Sequence, residues 1–159
     1  GNLPEWTGRN AAFADGAIYI TNEEPTVYDM LENVVHELAH SLEPKFGEFI
    51  FSDSLKSEFL SKRQQLQQIL MAYNYHTDPS LYSQTEYNKK FDSFLSSDVG
   101  YPTLLSLSMG LFVSPYGATS LQEYFANGFE KYILGEAQAL KKISPVLYNI
   151  IDTLYYESE

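Results

Sequence analysis

The chain has 159 residues, 44% of them hydrophobic and 15% aromatic, enough apolar material for one sizeable core in a single domain over residues 1–159. Its formal net charge of −11 argues against a nucleic-acid partner, because phosphates need a basic face. Zero cysteines exclude disulfides and thiolate-held metal, and no run of about 18 apolar residues offers a membrane span.

Residues 1–15 read as irregular, with Leu3-Pro4-Glu5-Trp6-Thr7-Gly8 as loop, Trp6 as a core anchor and no secretory signal pattern at the start. Ala17-Ile18-Tyr19-Ile20 is a short β-rich run between Gly16 and Asn22. A helix is predicted from Val27 to Glu43. Thr26 and Asp29 have the spacing of a capping box, the stretch lacks Gly and Pro, and Pro44 stops it. Leu31, Val34, Val35, Leu38 and Leu42 recur at helical spacing and predict a buried stripe.

That helix carries His36-Glu37-Leu38-Ala39-His40, an H-E-x-x-H sequence in a chain with three histidines. Two imidazoles at i and i+4 share one helix face and can bind one metal ion. Glu37 stands about 100° around the helix from His36, where a carboxylate serves as a base beside the metal rather than as a ligand. Core burial accounts for one histidine at such a place, but not for two with a Glu between them.

A third ligand is needed, and the sequence offers two candidates. An extended motif would have a third His at position 46, which is Phe46. His76 is the remaining histidine, in the turn-like segment Tyr73-Asn74-Tyr75-His76-Thr77-Asp78-Pro79. The better candidate is Glu123, on a helix predicted from Leu121 to Leu134 and closed by Gly135. Thr119 and Gln122 can form its capping box, which frees Glu123 to face a metal and complete a His₂Glu set with water in the fourth position. Asn127, one turn beyond, can hydrogen-bond a ligand imidazole. On spacing alone Glu123 reads equally well as a surface acid.

The remaining segments give the frame. Phe46 to Phe51 reads as loop or short strand, and Leu55 to Tyr75 as a long amphipathic helix with Leu55, Phe59, Leu66, Ile69, Leu70 and Tyr73 on one side. Ser83 and Glu86 predict a capping box for a helix that buries Tyr87, Phe91, Phe94 and Leu95 and ends at Gly100. Pro102 to Met109 reads as a short helix, and Ser144-Pro145 starts a last one through about Tyr156. The expected class is α+β, mostly helical, with a small mixed sheet ahead of the H-E-x-x-H helix.

Two stretches carry a family resemblance: V-V-H-E-L-A-H-S-L at 34–42 and S-P-Y-G-A-T-S-L-Q-E-Y-F-A-N-G-F at 114–129. Together they resemble the catalytic domains of the anthrax lethal factor group, zinc metallopeptidases whose wider set includes the secreted Pro-Pro endopeptidases. The resemblance covers about 34–42 and 114–133. In that group a second helix opens around E-[FY]-F-A-E-[AS]-F. Its first Glu, matching Glu123, is the third zinc ligand, and a Tyr seven residues earlier, matching Tyr116, stabilises the oxyanion. The resemblance therefore implies a zincin-like endopeptidase holding one Zn²⁺ on His36, His40 and Glu123, with Glu37 as general base and a protein or peptide as substrate. It also implies a substrate-binding edge strand along Ala17, Ile18, Tyr19 and Ile20, where a peptide adds as an extra strand. The match departs at Asn127, where the group has a second acid, and Leu55 to Tyr101 is largely extra or rearranged. The rival expectations are a binding or docking module with structural or vestigial zinc, and a zinc hydrolase acting on something other than protein. The resembling proteins are mostly secreted, while composition fixes no compartment.

Overall fold

Thr26 opens the helix that carries the His-Glu pair. Its hydroxyl accepts from the Asp29 amide at 3.0 Å while Asp29 Oδ2 accepts from the Thr26 amide at 3.1 Å, which closes the predicted capping box. The computed structural model describes residues 11–14, 17–20 and 26–157, with side chains from Thr26 on. Helix α1 runs over Val27–Ser41 and α2 over Glu43–Ile50. Pro44 ends the first helix but does not break the chain out of helix. Proline is tolerated in a first turn, so α2 begins around it, and the expected loop or strand at Phe46–Phe51 is helical instead.

Helix α3 spans Asp53–Ala72, α4 Lys89–Ser93, α5 Tyr101–Leu107, α6 Leu121–Lys131, α7 Ala137–Ile143 and α8 Pro145–Glu157. Two π-helical stretches, Phe94–Gly100 and Tyr132–Glu136, join neighbouring helices. Gly100 (φ 86°) and Gly135 (φ 97°) supply the left-handed turns there. Short 3₁₀ turns occupy Pro79–Ser83 and Pro115–Ala118.

Among the described residues, the mixed sheet expected ahead of α1 is not found. The segment instead contains one antiparallel hairpin, β1 (Ala11–Ala14) with β2 (Ala17–Ile20), Ala11 opposite Ile20 and Ala14 opposite Ala17. From Thr26 on, the described residues are helices and turns, with an isolated bridge between Met109 and Phe112. Among the described residues the architecture is mostly helical, with this hairpin and no larger sheet.

The helices meet around Phe59, Phe125, Leu66, Leu95, Leu140 and Ile151, all fully buried, each such side chain contributing about 1.5–3 kcal/mol. Helix α6 lies at the centre, packed on α1, α3, α8 and the Pro115–Ala118 turn. Gly128 permits the close approach of α8, since a Cβ there would stand 2.9 Å from Leu147 Cγ. Glu58 of α3 ties the same group. It accepts from the Tyr124 hydroxyl at 2.6 Å and from the Val146 amide at 2.8 Å, placing a carboxylate at the α8 N-terminus.

Burial differs from the periodic pattern in three places. On α1 only Val35, His36 and Ala39 are buried, whereas Leu31 (48%), Val34 (61%) and Leu38 (50%) are exposed. The contact with α6 runs along the Val35–His36–Ala39 side, and the predicted apolar stripe is centred about 100° around the helix from it. On α3, Lys62 and Arg63 are buried and Tyr73 is exposed. Arg63 sits over the Phe59 and Phe91 rings and donates to Leu81 O at 2.8 Å and Thr119 O at 3.0 Å, so carbonyls and rings replace water around its charge. Burial lowers its pKa to about 10. Around residue 85 the expected Ser83–Glu86 cap is not used. Asn88 caps α4 through the Phe91 amide, Tyr87 is exposed, and the Thr85 carbonyl accepts from Leu121 N at 2.8 Å.

Candidate metal centre

Helices α1 and α6 bring His36, His40 and Glu123 together. One ligand atom from each lies within 4.8 Å of the others. The i, i+4 spacing puts both imidazoles on one side of α1, with ring centroids 5.0 Å apart at 76°. Glu123 is in the first turn of α6, and its carboxylate fits between them. Its oxygens lie 3.0 Å from His36 Nε2 and 3.2 Å from His40 Nε2. The two Nε2 atoms and the carboxylate thus converge on one point.

Ser120, not Thr119, caps α6: its hydroxyl accepts from the Glu123 amide at 3.1 Å. The Thr119 hydroxyl donates back to Tyr116 O at 2.8 Å and stiffens the turn before the helix. Gln122 reaches α2 and donates to Glu43 Oε2 at 3.0 Å. The expected Thr119–Gln122 capping box is therefore replaced, and Glu123 is still left to the histidines.

The outer nitrogens of both imidazoles face carboxylates that the sequence reading missed. His36 Nδ1 is 2.9 Å from Glu130 Oε2, and both residues are buried. His40 Nδ1 is 2.9 Å from Glu43 Oε1. A carboxylate at Nδ1 favours a proton there, and Nε2 of each ring faces Glu123. Asn127, expected in this role, is buried one turn short of Glu130 and accepts from the Ser114 hydroxyl instead. Helical spacing carried the missed signal: Glu130 is seven residues from Glu123, about 20° off its face, whereas Asn127 is about 40° off.

Without an ion, the same carboxylates charge the site. The Glu123 hydrogen bond, helped by Glu43 against burial, raises His40 to a pKa of about 9. Burial pushes Glu123 up, but hydrogen bonds from His36 and His40 outweigh it and hold its carboxyl well below the usual range.

The other expected residues are placed as follows. Glu37 follows His36 on α1 with an exposed side chain, on the solvent side of the buried contact. Tyr116 lies in the Pro115–Ala118 turn packed on α6, its ring 5.1 Å from that of Tyr101. His76 is exposed and outside the cluster. Ala17, Ile18, Tyr19 and Ile20 form β2 as expected, and their side chains lie outside the described residues.

His36, His40 and Glu123 are a group that could hold a metal ion. Two imidazole nitrogens and one carboxylate form a possible three-ligand set, and each imidazole has a second carboxylate at its outer nitrogen. Glu130→Gln is expected to weaken zinc affinity by about 10–100-fold with the fold retained, as read by competition with a chelating dye. An unchanged affinity would remove Glu130 from this role.

No helix among the described residues is long and apolar enough to cross a membrane. Comparisons of the chain with protein-family models, curated proteins and solved structures return no match.

Proposed function

We propose that this protein is a zinc-dependent endopeptidase of the gluzincin type, resembling the lethal factor and Pro-Pro endopeptidase group. The observation that supports the reading is the meeting of His36 Nε2 and His40 Nε2 of α1, the helix that also presents Glu37, with the Glu123 carboxylate of α6. Zinc bound there would polarise the scissile carbonyl and lower the pKa of water to about 7.

The chain's own residues supply the rest. Glu130 and Glu43 keep both imidazoles in the ligating tautomer. The Glu37 carboxylate takes the proton of the attacking water and passes it to the leaving amine nitrogen. The Tyr116 hydroxyl donates to the carbonyl oxygen as it becomes an oxyanion, the role its match in the resembling group implies. The buried contact of α1 on α6 fixes the ligands on two helices rather than on loops.

The test is a peptide library incubated with zinc-loaded wild type and Tyr116→Phe. Wild type is expected to cleave peptide bonds. Tyr116→Phe is expected to keep its zinc and lose about 10²-fold or more in kcat. Equal turnover in the two proteins would remove Tyr116 from the chemistry. A wild type that holds zinc and cleaves nothing would favour a binding module.

A further inference from the structure

Both ring nitrogens of His40 lead back to consecutive residues of α6. Its Nε2 is 3.2 Å from Glu123 Oε1. Its Nδ1 is 2.9 Å from Glu43 Oε1, and the other oxygen of that carboxylate accepts from Gln122 Nε2 at 3.0 Å. Gln122 and Glu123 stand side by side in the first turn of α6. His40, Glu43, Gln122 and Glu123 therefore close a ring that joins α1, the first residue of α2 and the start of α6.

The two imidazoles differ in what holds their outer carboxylates. Glu130 is packed inside against His36, each side chain being 6% exposed. Close packing holds such a carboxylate in one rotamer. Glu43 lies at the edge of the site, 16% exposed against a His40 side chain that is 29% exposed. Its contact with His40 spans three residues across the corner at Leu42. A long side chain with water in reach has several staggered rotamers open to it. A second donor on the opposite oxygen removes most of them, because both oxygens must then meet placed partners at once.

We propose that Gln122 is a positioning residue for His40: by holding Glu43, it presets the imidazole that meets the metal. The inference rests on the metal centre of the endopeptidase reading. It adds that α6 governs both imidazoles, His36 directly through Glu130 and His40 through Gln122 and Glu43. An exposed residue outside the ligand set then bears on how tightly the ion is held.

The experiment compares Gln122→Leu, which removes the donor, with Gln122→Lys, which keeps one at similar reach. Gln122 is exposed, so both changes spare the core, and the melting temperature of chelated protein is the folding control. Zinc affinity is read by competition with a chelating dye. Gln122→Leu is expected to weaken it by about threefold to tenfold, at or below the low end of what loss of a direct outer partner brings. Gln122→Lys is expected to keep the wild-type affinity. In a Glu43→Ala background, Gln122→Leu is expected to add nothing, because the group it acts through is gone. Unchanged affinity in Gln122→Leu, or the same loss with and without Glu43, overturns the proposal.

A second readout needs no metal. The Nδ1 proton of His40 is followed by nitrogen-edited NMR in chelated protein. Its signal is expected in wild type and in Gln122→Lys, and is expected to be lost to exchange with water in Gln122→Leu. That result supports the positioning role even where wild type binds no zinc, and the metal reading then fails alone. A signal that is the same in wild type and Gln122→Leu overturns the proposal whatever the zinc result.

Discussion

Glu37→Gln is expected to lower kcat by about 10²–10⁴-fold while the protein keeps one zinc per chain. The expectation follows from where α1 puts the side chain. His36 and His40 point into the contact with α6, and Glu37, about 100° around the helix from His36, is exposed. A side chain there adds nothing to the packed core, so its removal leaves the ligand set intact. Gln has nearly the same shape and cannot accept the proton of water, so the loss isolates the proton transfer. Zinc content and turnover measured on one sample distinguish the outcomes. Full turnover in Glu37→Gln would place the base elsewhere, and loss of zinc with turnover would make Glu37 part of the metal's support.

Glu123→Ala is expected to lose the metal, with affinity falling by more than the roughly 100-fold that loss of an outer carboxylate brings. Two imidazoles of one helix remain in that variant, and α6 no longer offers an oxygen to their Nε2 atoms, Glu130 being engaged at His36 Nδ1. Retained stoichiometric zinc would sink the ligand assignment. The metal-free protein should change as well, because Glu123 bridges both histidines. Its lowered carboxyl contributes stability that is present above the ordinary value of 4.5 and is lost as pH falls through the folded value. The raised His40 contributes stability that is fully present below 6.5 and is lost as pH rises through about 9. Metal-free wild type should therefore gain most from this cluster between about pH 4.5 and 6.5, and Glu123→Ala should flatten that dependence. Melting temperatures taken across pH on chelated samples check it.

The parts of this site that could be read in the sequence are those set by short-range rules. Thr26 and Asp29 give the start of α1 because a capping box is a local hydrogen-bond pair. The i, i+4 histidines and the break at Gly135 follow from helix geometry alone. Glu123 needed the resemblance, since nothing local separates a ligand from a surface acid.

What was missed depends on partners distant in sequence. Glu43 reads as the last residue of the predicted 27–43 helix and Glu130 as an acid late in the predicted 121–134 helix, until folding sets each against an imidazole. Lys62 and Arg63 look like the solvated side of a long helix, yet they hold carbonyls at Leu111, Ile143, Leu81 and Thr119. The apolar stripe of α1 was read correctly as a pattern and wrongly as a buried face, because periodicity shows which residues share a side and not what packs there. The sheet failed for a related reason: one β-rich run of four residues predicts a strand, and the number of its neighbours depends on the rest of the chain.

The most direct test of the metal centre is zinc per chain after loading and exhaustive dialysis, with peptide-library cleavage measured on the same wild-type sample. One tightly held zinc together with cleavage is the predicted result. A chain that retains no zinc, or that retains one and cuts no peptide, would contradict the account.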